Sequence, residues 1–239
     1  MNYNELDFNL SNRERELSMS AAFPALMRKV YVWMTFALAL TGFTAYGVAT
    51  SPGIITALYS NSILLWGLVI AEFAIVFGVS AAINRLSLTT ATLLFVLYSV
   101  INGALFSSIF LVYTMSSIAS VFFITAGTFG VMALVGYTTK KDLSSMGRIL
   151  FMALIGIIIA TIVNIFLKSS GLETIVSYLG VLIFVGLTAY DTQKIKNMLL
   201  MAPDVSEASQ KIALLGALNL YLDFINLFIY LLRIFGRRE

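Results

Sequence analysis

The sequence contains neither cysteine nor histidine, and each absence excludes a class of chemistry. Without cysteine the chain can form no disulfide, no thiolate metal site and no thiol nucleophile. Without histidine it has no imidazole ligand for a metal, and it lacks the side chain that ordinarily changes charge near neutral pH. Any response to pH in the physiological range must therefore come from carboxyl groups whose proton affinity is altered by their surroundings.

Charged residues are also scarce. They make up 11% of the 239 residues, against 59% hydrophobic residues, whereas a soluble domain has about 25% charged residues. The mean hydropathy of +0.93 is typical of an integral membrane protein. Fifteen Lys and Arg against twelve acids give a net charge of +3. In a membrane protein this balance concerns orientation and lipid headgroups, so nucleic acid is a poor candidate partner.

Seven apolar segments follow a polar N-terminus, and most connections between them are short. Each is close to the roughly 20 residues that a helix needs to span the hydrocarbon. Only helices satisfy the backbone at such lengths, so the sequence predicts an all-α integral membrane protein with seven transmembrane helices in a lipid bilayer. The predicted segments are 30–49, 63–83, 88–112, 118–138, 147–167, 174–192 and 212–232. The long exception among the connections is Thr192 to Lys211, and Pro52-Gly53 marks a turn.

The chain is predicted to have two parts, a polar cytosolic tail at 1–28 and a seven-helix transmembrane domain at 29–239. The tail is too long and too polar to be the start of a signal peptide. We expect it to end in a short interfacial helix near Ala21–Met27.

Lys and Arg predict the orientation. With the N-terminus in the cytoplasm, the inside segments hold eleven of these residues and the outside segments four, of which three lie in the C-terminal part: Arg233, Arg237 and Arg238. That basic C-terminus leaves open a last segment that enters the membrane and returns. Seven crossings are favoured because the last segment is full length.

Three acids lie at membrane depth: Glu72, Asp191 and Asp223. An ionisable group near a helix centre costs about 2.5–3.5 kcal/mol on insertion scales, so such residues normally face a bundle interior or a wet cavity. The sixth and seventh segments run in opposite directions, so Asp191 and Asp223 can meet. Two carboxyl groups in contact would share a proton and titrate as a unit, which makes a pH switch. Alternatively, each acid alone is structural and hydrogen-bonds to Ser, Thr or Asn across helices.

The last segment carries a polar stripe. Asn219, Asp223, Asn226 and Tyr230 are spaced at i, i+4, i+7 and i+11 and so share one helix face. Arg85 ends the second segment, where an arginine that extends to the interface is the ordinary interpretation.

Two stretches, LTAYDTQKI from Leu187 and LYLDFINLFIYLLRIFG from Leu220, resemble the sixth and seventh helices of the transmembrane Bax inhibitor motif family, also called the Bax inhibitor-1 family. MRKVYVWM at 27–34 and KKDLS at 140–144 fit the same family. The resemblance covers the chain from Met27 onward and is to bacterial-type members.

The resemblance implies six helices around a central seventh and a Ca²⁺ leak activity regulated by pH in a bacterial inner membrane. It implies that Asp191 and Asp223 form the gating dyad, with Ca²⁺ as the permeant ion held only transiently beside them. It further implies no cofactor, no tightly bound metal and a monomer. Glu72 matches an acidic residue in the second helix of relatives, where it lines the ion path. In closed forms of relatives an arginine at the end of the second helix engages the dyad as a latch, and Arg85 is the matching residue here. Arg85 is offset toward the loop, and it is a single residue where bacterial relatives have a basic cluster.

Other functions fit less well. An intramembrane aspartyl protease would match Tyr190-Asp191, but its second aspartate should follow a Gly-x-Gly turn and Asp223 follows Leu-Tyr-Leu; we therefore predict that the protein is not an enzyme. A retinal protein is excluded because no lysine lies between Ile212 and Leu232. The serious alternative is a non-channel regulator that binds a partner, such as a membrane-anchored quality-control protease, through the polar tail.

Overall fold

The computed structural model describes the backbone of residues 3–238 and the side chains of residues 21–238. The structure is 87% helical, and no strand is formed among the residues that it describes. The described helices are α1 (Tyr3–Ala49), α2 (Pro52–Ser60), α3 (Ser62–Ala82), α4 (Leu88–Phe106), α5 (Ile109–Val112), α6 (Met115–Thr138), α7 (Ser144–Leu167), α8 (Ser170–Leu200) and α9 (Glu207–Phe235).

Seven spans in this helical bundle are long and apolar enough to cross a membrane, which confirms the predicted fold class. They are Ala21–Ala49 of α1, α3, the stretch Leu88–Val112 formed by α4 and α5, and α6 to α9. Large apolar side chains such as Ile63 of α3 and Phe166 of α7 are exposed on the outside of the bundle. This outer surface would be costly in water, and it suits contact with lipid.

Helix α9 is the central helix. In its most apolar window 67% of the residues are buried, against 6% in the corresponding windows of α3 and α7. It packs on α1, α4, α6 and α8, whereas α3 packs mainly on α4 and α7 mainly on α8. The predicted arrangement around a central seventh membrane helix is therefore confirmed.

The predicted connection between the last two membrane helices is wrong, because most of it is helical. The stretch from Thr192 to Lys211 was expected to be a loop, but α8 continues to Leu200 and the connection is only 201–206. The polar residues after Thr192 end the apolar run without ending the helix, since Gln and Lys are good helix formers. Ile195 and Leu199 on this extension are fully buried. The extension is thus part of the packed bundle.

Helix α1 joins the bundle earlier than the predicted boundary. The helix passes through residue 28 without a break, and Ala22, Leu26 and Val30 are buried at four-residue spacing. The expected interfacial helix at Ala21–Met27 is thus the first part of the membrane helix. The separate role of residues 1–28 stays a prediction, and the side chains of residues 1–20 lie outside the described part of the structure.

Pro52 starts a helix instead of marking only a turn. It is the first residue of α2, where its fixed φ is compatible with helix and its missing N–H costs no hydrogen bond.

Polar contacts show which turns share one end of the bundle. The Lys211 Nζ donates to the Leu86 carbonyl oxygen at 2.7 Å, and the Leu88 N–H donates to the Glu207 carboxylate at 2.9 Å. The turn between α3 and α4 therefore lies at the N-terminal end of α9. Lys29 of α1 reaches the same end, where its Nζ donates to the Gln210 side chain at 2.7 Å.

The C-terminus lies at the opposite end of the bundle. The Thr114 N–H donates to the Arg237 carbonyl oxygen at 3.1 Å, and the Arg237 N–H donates to the Ser117 hydroxyl at 2.9 Å. Helix α9 thus runs from the α3–α4 turn to the turn before α6. This geometry supports a full crossing and disfavours a segment that enters the membrane and returns.

The orientation itself can be tested with reporters. We expect a fusion after residue 28 or within 139–146 to report the cytoplasm, and a fusion within 51–61 or at Glu239 to report the outside, because Lys and Arg stay inside. Alkaline phosphatase and green fluorescent protein fusions distinguish the two sides. A cytoplasmic signal from Glu239 together with an outside signal from 51–61 would contradict the full crossing of α9.

Candidate functional site

A cleft of about 1060 Å³ opens between α7, α8 and α9, with Phe73 of α3 on its edge. All four residues of the predicted polar stripe on the last segment line it: Asn219, Asp223, Asn226 and Tyr230. Their shared spacing places them on one face of α9, which is separated from α7 by the cleft. The stripe is therefore the floor of a cavity.

Small residues bring the cleft walls close together. The Tyr190 ring of α8 packs over Gly147 of α7, where an added Cβ would lie 2.5 Å from the ring. Tyr230 of α9 packs over Gly180 of α8 in the same way, at 2.6 Å. Glycine allows helix backbones in a membrane to approach this closely. The position of Tyr230 is fixed further because its ring stacks on that of Phe184.

Asp191 and Asp223 meet in this cleft. Asp223 is only 4% exposed and Asp191 is half-buried, and their carboxyl groups lie close enough to act on each other. An ionised carboxylate only accepts hydrogen bonds, so a hydrogen bond between two carboxyl groups requires a proton on one of them. The second carboxyl oxygen of Asp223, Oδ2, is buried without a hydrogen-bond partner. The pair therefore has the geometry of a site that holds one proton.

The cation that acts on the dyad from within the cleft is Lys194. It lines the cleft with Asp191 one turn earlier on α8, and its charge acts on Asp191. Arg148 of α7 lines the same cleft. Sequence reasoning missed Lys194 because it was assigned to a loop. If the sixth membrane helix is extended past Thr192, the three-residue spacing from Asp191 places Lys194 on the same helix face.

Arg85 lies elsewhere. It is exposed in the turn after α3 and does not line the cleft, so the structure does not bring it to Asp191 and Asp223. Its role as a latch stays a prediction.

Glu72 is held apart from the dyad, in a second polar cluster. Its side chain contacts Asn102 of α4, whose amide nitrogen donates to the Tyr98 hydroxyl at 3.0 Å. Glu72 Oε1 and Asn102 Oδ1 are both buried and have no donor. A proton on Glu72 would supply one. The edge of Tyr98 packs on Tyr221 of α9, with ring centroids 5.7 Å apart, so this cluster touches the central helix away from the cleft.

Comparison with known proteins identifies the family. The family model described as "Inhibitor of apoptosis-promoting Bax1" matches residues 24–239. The chain belongs to the Bax inhibitor-1 family. The match covers all seven membrane helices and both aspartates of the dyad, so the resemblance expected from the sequence is confirmed.

Bacterial relatives in the Bax inhibitor-1 family cover nearly the whole chain. The inner membrane protein YbhL of Escherichia coli K12 is 54% identical over 221 residues, which are 92% of this chain and 94% of YbhL. A protein of Borreliella burgdorferi is 45% identical over 231 residues, 97% of this chain and 98% of its own length. With its seven apolar helices, this member of the family is a multi-pass membrane protein, and the name of YbhL supports the inner membrane.

Proposed function

We propose that the protein is a pH-sensitive Ca²⁺ leak channel, gated by Asp191 and Asp223. The observation that carries the proposal is the close approach of these carboxyl groups, which belong to neighbouring helices and line the same cleft on the central helix. Membership of the Bax inhibitor-1 family supports a membrane protein of this architecture. The channel activity and its gating are our inference.

The chemistry of the cleft suits a cation that passes through it. Carboxyl, amide and hydroxyl oxygens are the ligands that Ca²⁺ prefers, and it takes six to eight of them. The dyad supplies two carboxyl groups, and in the described part of the chain no third acid joins them to form a metal site. Ca²⁺ would therefore be held weakly beside Asp223, as a permeating ion must be.

The shared proton would set the position of α8 against α9. With one proton, the two carboxyl groups attract each other; without it, two like charges are in contact and repel. The charged and titratable side chains that face the pair across the cleft are Lys194 and Tyr190 of α8, Arg148 of α7 and Tyr230 of α9. Loss of the proton would redistribute these helices and change the width of the cleft.

Ca²⁺ flux from the purified protein in liposomes tests the proposal. Liposomes that contain a trapped Ca²⁺ indicator should show flux above protein-free liposomes, and the flux should change between pH 5 and pH 8. Folded protein that gives no flux at any pH in this range would overturn the proposal. It would favour the regulator that acts by binding a partner.

Acidic residues in the connecting loops would not make the flux change between pH 5 and pH 8. Hydrogen bonds from the side chain and backbone N–H of Ser144 hold the pKa of Asp142 below its ordinary value. Hydrogen bonds from the side chain and backbone N–H of Ser206 lower the pKa of Asp204 in the same way. An ordinary Asp titrates near pH 3.9. Both loop acids therefore stay ionised from pH 5 to pH 8, and the stability they contribute is lost only as the pH falls through their lowered values.

Lys194→Gln should move the pH midpoint of the flux upward. The lysine charge favours the ionised form of Asp191, so its removal makes the pair keep its proton to higher pH. The shift should be less than about one pH unit, because Lys194 is exposed and its charge is screened by solvent. Lys196→Gln is the matched control, since the Lys196 Nζ donates to the Tyr137 carbonyl oxygen and does not line the cleft. An upward shift with Arg85→Gln but none with Lys194→Gln would instead assign the electrostatic role to Arg85.

A further inference from the structure

A second concave surface runs along the bundle between α1 and α6, and the proposed channel does not use it. Both helices pack on α8 and α9 and flank the opening between them. One section of about 510 Å³ includes Arg28, and a second of about 790 Å³ reaches Tyr46. Met34 and Phe129 line both sections, so the two sections adjoin along α1 and α6. We call this the α1–α6 groove.

The α1–α6 groove has the length of a lipid bilayer core. It extends along α1 from Arg28 to Tyr46, which is about 27 Å at the rise of an α-helix. The hydrocarbon core is about 30 Å thick. The flanking residues belong to the membrane spans Ala21–Ala49 and Met115–Thr138. Most are apolar, and Phe224 of α9 lies at the floor. The occupant must therefore be apolar over most of its length.

The shape of the groove favours an acyl chain over a helix. Phe23 of α1 stacks on Tyr137 of α6 with centroids 6.3 Å apart, which joins the two walls at one end. At the other end Tyr46 contacts Phe110 of α5, with ring centroids 6.0 Å apart. A helix with side chains is about 10–12 Å across and would have to separate Phe23 from Tyr137 to lie along the full groove. An acyl chain is narrow enough to lie between α1 and α6 without separating these rings.

The charged residue that lines the groove is Arg28, at one end of it. Arg28 is exposed there, about where the hydrocarbon meets the headgroups when Ala49 is at the opposite interface. An arginine guanidinium pairs well with phosphate oxygens. The charge of this end complements an anionic headgroup.

We propose that the α1–α6 groove binds an anionic phospholipid, with its phosphate at Arg28 and an acyl chain along α1 and α6. The chain would contact Phe224, which is next to Asp223, and so would support the central helix where it carries the dyad. The site is independent of the proposed channel activity, because binding can be measured without flux.

Glycines give a direct test. Gly42 and Gly130 line the groove, and a Cβ at either position would meet nothing within 4 Å, so leucine there should occupy the groove without disturbing the helices. Gly47 and Gly127 are equally open and do not line the groove, which makes them matched controls on the same two helices. Purified full-length variants in detergent would receive phosphatidylglycerol or phosphatidylcholine, with bound lipid measured by native mass spectrometry and stability by thermal melting.

Phosphatidylglycerol should remain bound to the natural protein, Gly47→Leu and Gly127→Leu and should raise their Tm. Gly42→Leu and Gly130→Leu should stay folded and lose both effects. Arg28→Gln should bind phosphatidylglycerol about tenfold more weakly, the expected loss of one charge-assisted contact. Its affinity for phosphatidylglycerol should approach that for phosphatidylcholine.

Three results would overturn the proposal. In the first, the groove-filling variants retain lipid as the controls do. In the second, the natural protein binds both lipids equally and Arg28→Gln changes nothing. In the third, the natural protein is a dimer that Gly42→Leu or Gly130→Leu dissociates, which would make a second copy of the chain the occupant of the groove.

Discussion

Asparagine in place of either Asp191 or Asp223 is expected to flatten the pH dependence of Ca²⁺ flux. Each substitution keeps the size of the side chain and its ability to hydrogen-bond, but removes one carboxyl group from the pair. The remaining carboxyl group then faces an amide, and no proton is shared between two like charges. The double variant should add little to either single variant, because the pair titrates as one unit.

Proteoliposome flux from pH 5 to pH 8 measures this prediction, with expression and Tm as controls for folding. Glu72→Gln is the matched control at membrane depth, because Glu72 belongs to the cluster around Asn102 and not to the cleft. It should leave the midpoint of the flux profile in place. If both single aspartate variants keep the flux profile of the natural protein across pH, gating by the dyad is contradicted. Effects that simply add in the double variant would show that the two carboxyl groups act independently.

Valine in place of Gly136 is expected to prevent α6 and α8 from packing and to leave little folded protein. A Cβ at this position would overlap the backbone carbonyl of Ala189, which cannot move as a side-chain tip can. Overpacking in a core costs about 1–3 kcal/mol, and a clash with backbone lies at the upper end of that range. Alanine should therefore already lower the Tm, and valine should lower it further or abolish folding.

Gly127→Val is the control for Gly136→Val, since it lies on the same helix with nothing within 4 Å of its Cβ position. Size-exclusion chromatography and thermal melting in detergent compare the two variants. Equal Tm values would show that α6 and α8 can separate without cost. Ala189 is only two residues from Asp191, so any Gly136→Ala protein that survives should also show an altered pH profile.

The sequence predicts those parts of the fold and site that depend on hydrophobicity and helical spacing. Apolar length located all seven spans. The opposite directions of the last two spans predicted that Asp191 and Asp223 could meet, and the structure places both in one cleft, close enough to act on each other. The spacing of Asn219 and Tyr230 along the last helix likewise predicted their common face.

Features that depend on packing between helices could not be predicted in this way. Helix α8 continues beyond its apolar run because Ile195 and Leu199 are buried against neighbouring helices, and only with that extension does Lys194 reach the cleft. Gly136 and Gly127 look alike in the sequence, and only the structure shows that the first touches a backbone. Glu72 and Asp223 are both acids at membrane depth, yet the bundle places them in different clusters.

Infrared spectroscopy of the carboxyl groups, recorded beside Ca²⁺ flux in the same proteoliposomes across pH, tests directly whether the dyad gates the flux. We expect a protonated-carboxyl band from the dyad at neutral pH that Asp191→Asn and Asp223→Asn each alter and Glu72→Gln leaves in place. The midpoint at which this band disappears should coincide with the midpoint of the flux profile. A flux profile that changes at a pH where the dyad band does not change would contradict gating by Asp191 and Asp223.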